Sequence, residues 1–417
     1  MCIYKIEGGH RLNGQIEASC AKNSVLPMIF ASILTNEQVT LQNISPLSDV
    51  KASLEILQLL GGKYDMDEEQ LHICNGSICN SQAPYEAVRK MRARILAMGP
   101  LLAKMGKVNI ALPGGCAIGS RPVDLHIKGL TALGASISLE HGTLNAHTKQ
   151  LKGAQIYLDF PSVGATENIM MAAVLAKGET IIRNAAAEPE VEDLANFLGA
   201  MGARICGQGT DTIIIEGVSS LNGVSFKPIT DRIEVGTFLV ATTACGGDVT
   251  INNINPEHIR ATIAKLTESG AKITEMKNGV RIKADGKPCK FDIKSLPYPG
   301  FPTDMQAQLC ALASIAGGTS MVVETVFEQR YNHIAELVRM GADIKVDERT
   351  AIITGVSSLS GTSVCAPDLR GGAALVIAGL CAKGTTEISD EGHLKRGYYH
   401  IEDKLQNLGA KITCINV

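Results

Sequence analysis

One motif recurs six times along this chain, and it limits the folds open to it more than any other feature. A helix-like stretch ends in a small-residue turn and runs into a short strand. The turns read Leu60-Gly61-Gly62-Lys63, Leu133-Gly134-Ala135-Ser136, Met201-Gly202-Ala203-Arg204, Ser269-Gly270-Ala271-Lys272, Met340-Gly341-Ala342-Asp343 and Leu408-Gly409-Ala410-Lys411. Subtracting successive glycine positions gives spacings of 73, 68, 68, 71 and 68. Glycine suits the place because helices often end on a residue with positive φ. The strand that follows alternates its side chains, as Ala410-Lys411-Ile412-Thr413-Cys414-Ile415 does, which is the pattern of a half-buried strand.

A second element precedes each turn: an Ala-rich helix, then a strand. Its copies are Ser24 to Leu41, Ile95 to Ile110, Met170 to Ile182, Thr237 to Ile251, Met305 to Val323 and Ala373 to Ile388. Each unit therefore reads strand, helix, strand, helix, strand, strand, too long for a short-period solenoid. Six such α/β units in 417 residues divide into two lobes of three. A cleft between lobes is where a ligand is expected.

Composition excludes several classes. The formal charge of -3 and the scatter of Lys and Arg along the chain leave no basic stripe for nucleic acid. The N-terminus lacks the long apolar core of a secretory signal, and the apolar run near Ala373 to Ala382 is too short to span a bilayer. The twelve cysteines are spread from Cys2 to Cys414 without a compact framework. Reduced thiols in a cytoplasmic protein are expected, not disulfides. The nine histidines form no H-E-x-x-H cluster and Cys74 and Cys79 have no companion pair, so no metal is implied. No Walker or G-x-G-x-x-G fingerprint stands in a credible context, so no nucleotide triphosphate or dinucleotide cofactor is expected.

The chemistry is best sought in Leu112-Pro113-Gly114-Gly115-Cys116-Ala117-Ile118-Gly119-Ser120-Arg121-Pro122-Val123-Asp124-Leu125-His126. Small residues around one thiol make a loop able to change shape, and a cation five positions on can tune the thiol. An ordinary buried cysteine is the plain alternative; the glycine flanks and Arg121 favour a functional Cys116. Lys22 and Asn23 stand where a helix starts, a plausible anion site. Arg92 and Arg94 fit a solvated helix face equally well. Read on its own, Asp304 in Phe301-Pro302-Thr303-Asp304 is an N-cap or first-turn carboxylate. Arg330, Asp368, Arg370 and Arg396 stand inside or beside the apolar repeats. Singly they diagnose nothing; together they suit a small ligand carrying carboxylate and phosphate, since Arg binds both in pairs of hydrogen bonds.

At these residues the chain resembles the UDP-N-acetylglucosamine enolpyruvyl transferases. The resemblance covers essentially the whole chain and rests on Ala21-Lys22-Asn23, the Pro113 to His126 segment and Phe301-Pro302-Thr303-Asp304-Met305-Gln306-Ala307-Gln308. Glu324-Thr325-Val326-Phe327-Glu328-Gln329-Arg330, Arg396-Gly397-Tyr398 and Ile401-Glu402-Asp403-Lys404-Leu405 add to it. It implies an inside-out α/β barrel of two lobes, helices inside and sheets facing solvent. One lobe would span 22–229 and the other 1–21 with 230–417, with the active site in the cleft between them. The implied substrates are phosphoenolpyruvate and UDP-N-acetylglucosamine, in peptidoglycan precursor synthesis. No cofactor, metal, nucleic acid or membrane enters, and protein partners are left open.

The implied reaction is addition followed by elimination. Cys116 resembles the acid that protonates C3 and is also needed for product release, and Asp304 the residue that holds and helps deprotonate the sugar hydroxyl. Lys22, Arg92, Arg121 and Arg396 resemble the cations around phosphoenolpyruvate and its adduct. Arg330 and Arg370 resemble supporting arginines, with Asp368 a carboxylate that orders them and Asn23 a contact to the sugar. The uridine nucleotide would lie along Arg121, Pro122, Val123, Asp124 and Leu125, then Ser162, Val163, Gly164 and Val326. Phe160 stands where relatives carry Lys, which puts a direct cationic contact there in doubt. The rivals are 5-enolpyruvylshikimate-3-phosphate synthase, which would not need the Pro-Gly-Gly-Cys loop, a silent UDP-sugar-binding paralogue, which should have lost Cys116 or Asp304, and a structural repeat protein.

Overall fold

The six glycine turns all fold the same way. In the computed structural model φ is 101° at Gly61, 94° at Gly134, 104° at Gly202, 99° at Gly270, 94° at Gly341 and 94° at Gly409. At each turn the glycine N–H reaches back three residues and the next N–H five, as Gly134 to Thr131 at 2.9 Å and Ala135 to Leu130 at 3.1 Å. This paired closure satisfies carbonyls that a helix end leaves open. The structure describes residues 2–67, 69–82, 92–111 and 123–416, with backbone alone at 92–94.

Each turn belongs to a repeated β-α-β-α-β-β unit. In one, strand Ile293–Lys294 leads through helix Gln306–Ala313 to the parallel strand Thr319–Val323. Helix Ile334–Arg339 follows, and then the hairpin Asp343–Asp347 and Thr350–Thr354, whose second strand lies antiparallel to Thr319–Val323. The same order recurs in Gln155–Tyr157, Glu179–Arg183, Thr212–Glu216 and Arg204–Cys206. Two sheets are completed by the N-terminal residues. Leu12–Glu17 lies parallel to Gly247–Asn252, and Cys2–Glu7 lies antiparallel to both Thr385–Asp390 and Lys411–Asn416.

The described residues form two compact units, one of residues 2–19 and 230–416, the other of 20–67, 69–82, 92–111 and 123–229. Each has its own hydrophobic core and holds three of the six sheets. In the first, helices Arg232–Cys245, Gln306–Ala313 and Leu369–Cys381 pack on one another and are buried almost throughout. Helices apolar on all sides belong inside a core. Strands alternate instead: Thr319 and Met321 are exposed while Ser320 and Val322 are buried. One face of each sheet thus meets water. Within each unit the apolar helices are inside, the amphipathic ones such as Arg260–Glu268 and Ile334–Arg339 are partly exposed, and the sheets turn one face outward. Among the described residues no helix is long and apolar enough to cross a membrane.

A Cβ added at Gly341 would meet nothing within 4 Å, so alanine there tests the backbone alone. We predict that Gly341→Ala lowers stability by about 1–2 kcal/mol, and Gly341→Asn by less, since asparagine tolerates the left-handed region better. Urea denaturation measures both, and equal losses would contradict the assignment.

Candidate active site

The buried helices of the first unit begin with charged residues, and those charges meet. Asp304 lies in the single 3-10 turn Thr303–Met305 that leads into helix Gln306–Ala313. The N-cap of that turn is Pro302, without a side-chain cap bond, and the Asp304 carboxylate turns to two arginines instead. Arg330 Nη2 donates to Oδ1 at 2.5 Å and Arg370 Nη2 to Oδ2 at 3.2 Å. Both arginine side chains are 5% exposed, whereas that of Asp304 is 27% exposed. The guanidinium groups are thus desolvated behind a carboxylate that still reaches solvent. Removing one partner of so buried a pair strands the other charge.

Arg370 comes from the first turn of helix Leu369–Cys381. Asp368 caps that helix, accepting the backbone N–H of Arg370 at 2.9 Å and of Gly371 at 3.0 Å. Its carboxylate therefore fixes the backbone that carries Arg370. Gly371 is required by space: a Cβ would lie 2.7 Å from Pro367 Cγ and 3.2 Å from His333 Cβ. Burial works to lower the Arg370 pKa, but the Asp304 carboxylate and Tyr398 oppose it and hold it above its ordinary value.

The Tyr398 hydroxyl ties three helices together. It shares a hydrogen bond of 2.9 Å with Thr237 Oγ1, and accepts from Arg370 Nη1 at 3.3 Å and Gln308 Nε2 at 3.4 Å. Thr237 donates its own proton to Ile233 C=O at 2.8 Å, so Tyr398 is the donor in their shared bond. Thr237, Gln308 and Arg370 stand on the three buried helices in turn. Buried polar groups satisfied this way specify one arrangement of a core. Arg396 is exposed at the end of the turn Leu394–Arg396, two residues before Tyr398.

Val326 and Arg330 follow strand Thr319–Val323. Glu324 accepts the Val326 N–H at 2.7 Å, and the Arg330 guanidinium lies 5.3 Å from the Phe327 ring centre. His333 is buried beside them, and its Nε2 has no hydrogen-bond partner among the described residues. Burial pushes its pKa down to about 4; Asp368 opposes this and Arg330 adds to it.

In the second unit Lys22 opens helix Lys22–Ala31 behind Ala21, which has no capping side chain. Its Nζ lies 3.0 Å from Asp49 Oδ2, and both residues are buried. Asn23 beside it is half-buried. Ser162 Oγ accepts the Ala165 N–H at 3.4 Å and so caps helix Val163–Ala173. Gly164 faces the His126 ring, since a Cβ there would lie 3.4 Å from Cε1. His126 Nδ1 is 2.9 Å from Asn168 Nδ2, which also donates to Ile95 C=O at 2.9 Å. The structure thereby brings Ser162, Val163 and Gly164 beside the helix that starts at Asp124 and Leu125, behind Val123. Phe160 is exposed, and the neighbouring Asp159 binds Lys128 at 2.7 Å. Cys116, Arg121 and Pro122 lie outside the described residues, as does the side chain of Arg92.

Several of these groups have no local signature in the sequence. Asp49, Thr237, Gln308 and Asn168 look like ordinary helix residues and matter only through partners far along the chain. Tyr398 was visible as one of eight tyrosines, in a motif already noted, but without a role. His400, Glu402 and Asp403 bring ligand atoms within 4.8 Å of one another at the start of helix Ile401–Asn407, and exposed acidic groups commonly gather without an ion.

Residues 6–405 match the sequence profile of the family described as EPSP synthase (3-phosphoshikimate 1-carboxyvinyltransferase). The chain belongs to this enolpyruvyl transferase family. It is 56% identical over 409 residues to UDP-N-acetylglucosamine 1-carboxyvinyltransferase 1 of Caldanaerobacter subterraneus subsp. tengcongensis, covering 98% of each chain. It is 53% identical over 415 residues to UDP-N-acetylglucosamine 1-carboxyvinyltransferase 2 of Carboxydothermus hydrogenoformans, covering 99% of each. Among solved structures, the enolpyruvyl transferase NikO from Streptomyces tendae superposes with a TM-score of 0.89 at 22% identity, covering 100% of this chain and 99% of that one. EPSP synthase from Acinetobacter baumannii gives 0.78 at 19% identity, covering 100% of each. At such identities the structural likeness is one of fold.

The neutral His333 carries a pH dependence. The unfolded chain protonates it near its ordinary 6.5, and the folded chain only near 4. Its contribution is present above pH 6.5 and is lost as pH falls from there toward 4. Urea denaturation across that window should show a shallower loss for His333→Leu than for the parent. An unchanged slope would contradict the assignment.

Proposed function

We propose that this chain transfers the enolpyruvyl group of phosphoenolpyruvate to the 3-hydroxyl of UDP-N-acetylglucosamine, releasing phosphate. The observation that carries the reading is full-length identity of 50–56% to four relatives named for UDP-N-acetylglucosamine carboxyvinyl transfer. The reaction belongs to peptidoglycan precursor synthesis, in the cytoplasm.

Chemically, the sugar oxygen adds to C2 of phosphoenolpyruvate while C3 gains a proton. A tetrahedral phospholactoyl adduct results. Loss of phosphate and of a C3 proton restores the double bond. Cys116 is the acid at C3. The Asp304 carboxylate, partly open to solvent and gripped from behind by Arg330 and Arg370, holds the 3-hydroxyl and takes up its proton during addition. The two arginines keep that carboxylate in one place, which favours reaction through orientation. Lys22, Arg92, Arg121 and Arg396 offset the carboxylate and phosphate charges as the adduct forms. Asn23 contacts the sugar. Val123, Asp124 and Leu125, with Arg121 and Pro122, take the uridine nucleotide together with Ser162, Val163, Gly164 and Val326.

The test is phosphate release from phosphoenolpyruvate with either UDP-N-acetylglucosamine or shikimate 3-phosphate as acceptor. Release with the sugar nucleotide alone is expected. Release with shikimate 3-phosphate alone would favour the activity in the family's own description. Cys116→Ser should remain folded and lose or alter turnover; parental turnover in that variant would remove Cys116 from the role. Asp304→Asn should lower kcat by about 100-fold or more and change UDP-sugar affinity far less. The reverse pattern would make Asp304 a binding residue only.

A further inference from the structure

Arg330 can hold Asp304 only if its own guanidinium is held. Its Nε is buried and has no hydrogen-bond partner among the described residues, so the fixed contacts are at its ends. Nη2 meets Asp304, and Nη1 donates to Thr303 Oγ1 at 2.8 Å. A threonine hydroxyl has one proton and two lone pairs. Here the proton goes to Glu324 Oε2 at 2.8 Å, which turns a lone pair of Thr303 toward Arg330.

Glu324 is wholly buried. Its other oxygen, Oε1, accepts from Ser295 Oγ at 2.6 Å, Val326 N–H at 2.7 Å and Phe327 N–H at 3.1 Å. The carboxylate thus accepts four hydrogen bonds from three segments. One segment follows strand Ile293–Lys294, one precedes Asp304, and one is the turn leading to Arg330. An amide could not replace it without loss. Its NH2 would confront either the Thr303 proton or two backbone N–H groups.

We propose that Glu324, acting through the Thr303 hydroxyl, is a positioning residue for enolpyruvyl transfer: it aims Arg330 and thereby fixes the Asp304 carboxylate. The proposal rests on the enolpyruvyl-transfer reading above and extends it to residues that need not touch substrate. Thr303 is half-buried, so replacing its hydroxyl with a methyl group should leave the fold intact.

The experiment compares the parent with Thr303→Val, Thr303→Ser and Glu324→Gln by phosphate release with UDP-N-acetylglucosamine, with urea midpoints as the folding control. For Thr303→Val, kcat should fall about 10- to 100-fold while KM for the sugar nucleotide changes less than about threefold. Thr303→Ser, which keeps the hydroxyl, should recover to within about threefold of the parent, and Glu324→Gln should show the same split as Thr303→Val. A folded Thr303→Val with parental kcat, or a Thr303→Ser as impaired as Thr303→Val, would overturn the proposal and leave the enolpyruvyl-transfer reading standing. A parent inactive with UDP-N-acetylglucosamine would overturn both.

Discussion

A carboxylate and a guanidinium at the starts of two buried helices, joined by a second guanidinium from the turn after strand Thr319–Val323, form the arrangement to which the rest of the first unit is fitted. Ionised groups withdrawn from water cost several kcal/mol each unless they are paired and hydrogen-bonded. Asp304 lies between Arg330 and Arg370, and this pairing holds only while the helices keep their mutual register. That register is set by polar contacts deeper in the core. The Tyr398 hydroxyl reaches Thr237, Gln308 and Arg370, one residue on each helix. Apolar packing alone would tolerate small slips of one helix along another; this shared hydroxyl would not.

The repeat explains where such residues can occur. Six units share a helix that must be apolar on all sides, so polar residues cannot sit in its middle without partners. Its first turn is different, because unpaired backbone N–H groups there welcome carboxylates and anions. Lys22, Ser162, Asp231, Asp304 and Asp368 all stand at or next to the first turn of a buried helix or its leading turn. The units are alike in scaffold and differ at these starts, which is where the candidate chemistry lies.

Much of the scaffold was legible because it is local. A glycine after a helix, an alternating strand and an Ala-rich run each leave a mark within a dozen residues, and all six turns took the φ expected of them. The site was legible in part. Asp304, Arg330 and Arg370 could be named from their motifs, but the direction of the Asp304 side chain could not, and as a first-turn carboxylate it had an equally good local explanation. Asp368 illustrates the opposite case: the resemblance implies a carboxylate that orders arginines, and what its side chain meets is the backbone N–H groups of Arg370 and Gly371 at a helix cap. Tyr398 and Thr237 are 161 residues apart, and Lys22 and Asp49 are 27 apart. No window of sequence contains both members of such a pair.

The strand Cys2–Glu7 lies between Thr385–Asp390 and Lys411–Asn416 and pairs with both, and this has a consequence for how the chain is made. This strand leaves the ribosome nearly four hundred residues before its partners do. Leu12–Glu17 waits for Gly247–Asn252 in the same way. The unit built from the described residues between 20 and 111 and between 123 and 229 has, among those residues, no strand paired with the far end of the chain and can close first. Long-range pairing of this kind is slow and leaves apolar edges uncovered meanwhile. Residues 2–17 therefore find their place long after they are made, and the interval is when this chain is most open to misassembly.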